Sequence, residues 1–211
     1  MNPQGWPLEL LKRAVKASTW GFETGYHVTR YTMYRRIGEF FRSANRSGKV
    51  LSISESDVLH EMFDAEGSEV VVANYPEHNV LDLRFDDKEF DYVVCDQVLE
   101  HVEGDPQQAV DEQWRVLRPG GWLILTTCLM NPIHGAPGDY WRFTPDGLRF
   151  LCRNFGSIEQ AEGFGNFWVH AMHWVGVRGI GIPHWRFHPL NRIATHNDPA
   201  WPVLTWIIAR K

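Results

Sequence analysis

The sequence predicts an α/β fold: a mostly parallel sheet flanked by helices, with an antiparallel edge strand near the C-terminus. Three observations carry this. Segments of strand character alternate with segments of helical period through most of the chain. The strand runs, such as "KVLSIS" (49–54) and "WLILTT" (122–127), are short and continuously apolar, as strands buried on both faces are. Helix starts are marked by Pro106 and by Pro145, each at an early position where its missing N–H costs little, with Thr144 as N-cap before the second.

Taken in order, "LELLKRAVKA" (8–17) places Leu8, Leu11 and Val15 on one side of a helix. "TWGFETGYHVTR" (19–30) reads as a loop. Residues 29–44 read as a second helix with Tyr34, Ile37, Phe40 and Phe41 as its apolar members. "KVLSIS" is a strand, and "ESDVLHEMFDAEG" (55–67) a helix ending at Gly67 as C-cap. "EVVVANYP" (69–76) is a β-branched strand stopped by Pro76, and "FDYVVCD" (90–96) a third strand. "DPQQAVDEQWRVL" (105–117) is a helix, "RPGG" (118–121) a turn, and "WLILTT" the next strand. A long irregular segment follows, and "TPDGLRFLCRNF" (144–155) opens a further helix. "SIEQAEGFG" (157–165) and "WPVLTWIIARK" (201–211) are the last strands.

Bulk properties narrow the class. The 211 residues suit one domain, with 1–47 as a helical lead-in, 48–160 as core, and 161–211 as a Trp/His-rich cap with the last strands. The net charge of −5 argues against nucleic acid as a partner. Cys95, Cys128 and Cys152 form neither a metal spacing nor a disulfide framework, which fits a reducing cytoplasm. The N-terminal stretch reads as no signal peptide, and no segment reads as a membrane span. Five of the ten tryptophans lie in the last quarter of the chain, among prolines and histidines. They suit a packed cap, a pocket or a partner face. His170 and His173 share an i, i+3 spacing but have no third ligand in view, so we place no metal there.

"LDLRFDDKEFDYVVCDQVLEHV" (81–102) and "RVLRPGGWLILTT" (115–127) resemble the class I S-adenosylmethionine-dependent methyltransferases. "FDYVV", "VLEHV" and "VLRPGG" stand in that family's order and at its spacing. "PIHGAPGDYWRFTPDGL" (132–148) resembles a subgroup, close to methyltransferase type 11, often found among genes for surface sugars and secondary products. The resemblance spans roughly residues 48–160. It implies a Rossmann-like fold, S-adenosylmethionine as cofactor, and methyl transfer to a small-molecule acceptor, with a sugar or glycan hydroxyl favoured. A homodimer is compatible with it.

The resemblance also assigns positions. The family's acidic-x-Gly-x-Gly turn falls on Ser52, Ser54 and Ser56, so the glycine-rich motif is degenerate. Serine is small enough for backbone to approach a ligand, but it reaches positive φ less cheaply than glycine. Ser54 or Ser56 could donate hydroxyl hydrogen bonds or cap the following helix, and a plain cap without ligand is the competing reading. Asn74 stands where the family has an acid for the ribose diol, and Asn79 or Asp82 stands near its adenine contact. Asp96 and Gln97 fall beside the methionine part of the cofactor.

For the acceptor, His134, Asp139 and His101 are the candidate acid–base groups. Tyr140, Trp141 and Arg142 are candidates to wall the substrate. The competing reading pairs Asp139 with Arg142 to hold the long loop, and gives His101 an orienting role. Two rivals to the enzyme reading stand beside it: a catalytically inactive methyltransferase-fold binding or scaffold protein, and the same fold with another ligand. A Glu55 or Asp57 side chain filling the donor pocket would favour the first rival.

Overall fold

The computed structural model describes residues 6–42, 47–54, 56–62, 67–135 and 138–211. In chain order the elements are α1 (Trp6–Ser18), β1 (Thr24–His27), α2 (Val28–Arg42), β2 (Gly48–Ile53), α3 (Asp57–His60), β3 (Ser68–Ala73) and β4 (Phe90–Asp96). After a one-turn 3₁₀ helix at Leu99–His101 come α4 (Pro106–Val116), β5 (Leu117–Cys128), α5 (Pro145–Leu151), β6 (Ser157–Phe164), α6 (Phe167–Trp174), β7 (Gly181–Pro183), α7 (Pro189–Thr195) and β8 (Leu204–Arg210). The chain divides into two compact units, one of residues 38–163 and 204–211, the other of residues 1–37 and 164–203.

The larger unit is built on a six-stranded sheet of order β3-β2-β4-β5-β8-β6. β2 pairs in parallel with both β3 and β4, and β4 in parallel with β5. β8 runs antiparallel to β5, with Ile208 opposite Ile124. The continuous apolar runs are explained by this placement. Leu51, Val93, Leu123 and Ile207 are all fully buried, since the central strands are covered on both faces. From β2 the chain winds outward to β3, then returns to the opposite side of β2 as β4. That reversal is a topological switch point, where open α/β sheets form a crevice outside the carboxyl ends of their strands.

Helix starts follow their caps. The Asp105 side chain accepts from the Gln107 amide at 2.8 Å at the head of α4, and Ala109, Val110, Gln113 and Val116 face the core. Thr144 does the same for α5, accepting from the Gly147 amide at 3.0 Å. Thr144→Ala is expected to cost about 1 kcal/mol of stability, read as a lower urea midpoint with an unchanged slope.

Three local expectations need correction. The "RPGG" turn is absorbed into the long strand β5: Phe90 pairs with Leu117 but Tyr92 with Trp122, so the extra residues bulge out, with Gly120 at φ 82°. The helix expected over 55–67 is helical only at Asp57–His60, and residues 55 and 63–66 lie outside the described ones. The loop read at 19–30 contains strand β1 and the start of α2. β1 pairs antiparallel with β7 within the smaller unit, a long-range pairing invisible in a short window.

In the smaller unit, the histidines serve the fold. His188 Nδ1 accepts from the Leu190 amide at 3.2 Å to cap α7, and His170 Nε2 lies 3.2 Å from the Trp201 carbonyl. Burial, then the charges of Arg30 and Arg178, lowers the pKa of His27 to about 4, so this ring is neutral at pH 7. Trp20, Trp168, Trp174 and Trp185 are exposed, whereas Trp206 is fully buried in the larger unit.

Candidate active site

The carboxyl ends of β2, β3 and β4 open onto a cavity of about 520 Å³. Ser54 contributes from the end of β2, Asn74 from the end of β3, and Gln97 from the end of β4. Asn79, His101 and Glu103 add polar groups, while Val80 and Val98 supply apolar wall. A cavity of this size with few polar groups converging on it is the usual form of a small-molecule site.

The three serines divide sharply. Ser52 is fully buried, and its hydroxyl lies 3.0 Å from His60 Nδ1. Ser56 is buried too, donates to the Ile53 carbonyl, and accepts from the Asp96 amide at 2.8 Å. Its hydroxyl therefore ties the turn after β2 to the end of β4. Ser56 precedes α3 without making a side-chain cap bond. Ser54 alone faces the cavity. Its φ is 50°, the left-handed conformation that glycine adopts without cost, and its amide donates to the Ala73 carbonyl at 3.0 Å. The backbone thus keeps the tight turn of a glycine-rich motif with a hydroxyl added. Asp57 is largely exposed and absent from the cavity wall, and Glu55 lies outside the described residues.

Gln97 also holds a positive φ, 57°. Its amide reaches the Thr126 carbonyl at 3.0 Å and its side-chain Nε2 the Thr126 hydroxyl at 2.9 Å. Thr126 in turn donates to the Asp96 carboxylate. Asp96, Gln97 and Thr126 thereby form one network across the ends of β4 and β5. Asn79 Oδ1 accepts from the Leu81 amide at 2.9 Å while the residue lines the cavity. Asp82 does not line it; its carboxylate is exposed and lies 3.7 Å from Arg84.

The acceptor candidates gather in a second cluster. The amides of Tyr140 and Trp141 donate to the Glu100 carbonyl at 2.8 and 3.2 Å, and the Trp141 indole to the Val102 carbonyl at 2.9 Å. His101 Nδ1 bonds the Gly138 carbonyl. "LEHV" and "GDYWR" thus form one structure, though some 37 residues separate them. Asp139 is held by both terminal guanidinium nitrogens of Arg142 and by the His134 amide at 2.8 Å, with its side chain only 2% exposed. Arg142 keeps this carboxyl well below the usual carboxylate range. That pairing is the loop-holding arrangement, and a carboxylate so committed is a poor proton acceptor.

The rings of His134 and His101 meet edge-to-face, 5.0 Å between centroids. His101 lines the cavity; His134, Asp139, Tyr140, Trp141 and Arg142 stand outside its wall. Sequence reasoning had not singled out His78 or Glu103 as cavity residues, nor weighed Glu100 as a buried charge. The first two sit in loops without a strong pattern. Glu100 was visible within "LEHV", but its complete burial was not.

Comparison with known proteins agrees with this geometry. Residues 37–125 match the family model described as a methyltransferase domain. An uncharacterized 37.1 kDa protein in transposon TN4556 of Streptomyces fradiae is 32% identical over 89 residues, which are 42% of this chain and 26% of that protein. A SAM-dependent methyltransferase from Archaeoglobus fulgidus superposes with a TM-score of 0.58 at 15% identity, over 86% of this chain and 94% of its own. The 1,6-didemethyltoxoflavin-N1-methyltransferase of Burkholderia thailandensis, with bound 1,6-didemethyltoxoflavin and S-adenosylhomocysteine, superposes at 0.53 with 15% identity, over 100% and 91%. Residues 37–125, somewhat less than half of the chain, thus carry the pattern of a methyltransferase domain, and the fold is the one that class I methyltransferases share.

Proposed function

We propose that this protein is an S-adenosylmethionine-dependent methyltransferase acting on a small-molecule hydroxyl, with a sugar or glycan as the favoured acceptor class. The single observation that carries the reading is the cavity at the switch point, walled by Ser54, Asn74 and Gln97 from three successive strand ends. Bound there, the cofactor supplies an activated methyl group on a sulfonium. The chain's own part is to hold donor and acceptor in line, which is proximity and orientation catalysis.

The residues present fit such a ligand. The left-handed turn at Ser54 lets backbone approach it closely, and the Ser54 hydroxyl adds a polar group at the wall. Asn74 offers an amide to the ribose diol in place of a carboxylate, a neutral and weaker hydrogen bond. Asn79 suits the adenine edge, and Gln97, fixed by Thr126, the amino acid end. His101 is the cavity residue best placed to meet an acceptor proton.

The rival reading, a fold that has lost its donor site, is favoured by the inward hydroxyls of Ser52 and Ser56 and by the missing carboxylate after β3. Calorimetric titration with S-adenosylhomocysteine separates the two. We expect saturable binding to one site per chain. No heat at millimolar ligand would leave the scaffold reading standing. Turnover of a hydroxylated acceptor with labelled donor would then identify the substrate class.

A further inference from the structure

Beyond the donor cavity, the structure assigns a divalent metal site to Glu100, His101 and His134. One potential ligand atom from each of the three lies within 4.8 Å of the other two, so that small side-chain rotations bring all three to the roughly 2.0–2.2 Å bond lengths of a single ion. Two of them are neighbours in the 3₁₀ turn after β4; the third comes from the loop after β5.

The hydrogen bonds around the cluster prepare it. His101 Nδ1 is engaged by the Gly138 carbonyl, an acceptor, so that nitrogen carries the proton and Nε2 keeps its lone pair. His134 Nδ1 lies 3.1 Å from the Pro132 carbonyl and 3.2 Å from the Asn131 side-chain amide nitrogen, an acceptor and a donor, so either ring nitrogen of His134 is open to a metal. A histidine whose second nitrogen donates to a carbonyl or carboxylate is the usual form of a metal-binding ring, because the partner fixes the tautomer and raises ring basicity. The Arg142 pairing that makes Asp139 a poor base makes it a firm anchor for His134.

Glu100 supplies the independent observation. Its side chain is fully buried, and while Oε2 accepts from the Thr127 hydroxyl at 2.9 Å, Oε1 lacks a conventional hydrogen-bond partner, the neighbouring Cys128 thiol being only a weak donor to the carboxylate. A buried carboxylate oxygen left unpaired is costly. A cation against the two histidines would satisfy it.

Two imidazoles and one carboxylate are the ligand set of open zinc sites and equally of open ferrous sites, each of which retains a position for an exogenous oxygen; Zn²⁺, the ion without redox chemistry, is the one the test uses. Since His101 also lines the cavity, that position would suit an acceptor hydroxyl, whose proton a bound dication makes more acidic; with Nε2 on the metal, His101 would act on that proton through the ion and not as a free base. Only this use of the metal rests on the methyltransferase reading. Metal binding itself does not.

The test uses the full chain after chelator treatment, with no S-adenosyl compound present. Calorimetry with Zn²⁺ and visible absorption with Co²⁺ should each give one saturable equivalent, the cobalt complex showing the intense bands of low coordination number. His134→Ala, at an exposed loop position, should weaken both by at least about tenfold. The control His196→Ala should leave both unchanged. If Glu100→Gln or His101→Ala fails to fold, the His134→Ala comparison still decides. No saturable binding by the unaltered protein, or equal binding by His134→Ala, overturns the assignment. Separate titration with S-adenosylhomocysteine keeps failure here distinct from failure of the donor site.

Discussion

Replacing Ser54 with tryptophan is expected to weaken S-adenosylhomocysteine binding by about 100-fold, roughly 2.7 kcal/mol, without unfolding the protein. Ser54 is the one member of the Ser52–Ser54–Ser56 set that lines the cavity, and a large side chain there occupies the space where ligand would approach backbone. The position is already left-handed and only partly buried, so the new ring meets cavity rather than packed core. Far-ultraviolet circular dichroism and the thermal midpoint without ligand check the fold; calorimetry reads the binding. A ligand that binds only the folded state raises the midpoint, and the variant should lose that rise as well. Unchanged affinity in Ser54→Trp would place the donor elsewhere. The corresponding change at Ser52 is a poor probe, because its hydroxyl is buried against His60 and any effect would report on the core.

Removing the Arg142 guanidinium should destabilise the protein by about 3 kcal/mol, read from chemical denaturation at pH 7. Asp139 is almost wholly buried, and Arg142→Ala would strand its charge. The double variant Arg142→Ala/Asp139→Ala should recover part of the loss, since the stranded charge is then gone. The pH dependence has a definite sign. In the unfolded chain an aspartate titrates near about 3.9. In the fold, the hydrogen bonds from Arg142, assisted by the His134 amide and opposed by burial, hold Asp139 lower. The unfolded state therefore binds more protons on acidification. The pair's contribution is complete above about pH 4 and is lost as pH falls further. The gap between the unaltered protein and Arg142→Ala should shrink below that pH. A constant gap would mean that Arg142 acts through packing alone. The same variant loosens the anchor of His134, so its metal affinity should fall as well.

Legibility in the sequence tracked the range of the interactions. The strands 90–96 and 204–210 were plain because each is a short apolar run whose burial needs no partner to be named. The starts of α4 and α5 were plain because an N-cap and its amide lie two or three residues apart. The "RPGG" turn was misread because its bulge exists only against β4. β1 was missed because its partner, β7, lies more than 150 residues away.

The candidate site shows the same division. From the sequence alone came the α/β class, the alternating order of elements, the family resemblance of 81–102 and 115–127, and the list of polar residues near strand ends. Composition and local period suffice for these, since they express the burial and hydrogen bonding of single segments. Only the tertiary structure decided which of those residues share a space. It turned Ser52 and Ser56 inward and left Ser54 at the cavity. It committed Asp139 to Arg142, and it brought His134 across from the β5 loop to His101 and the buried Glu100. The physical reason is that side-chain direction at a turn is set by backbone torsion and by contacts with distant strands, and neither is encoded in the spacing of residues along the chain.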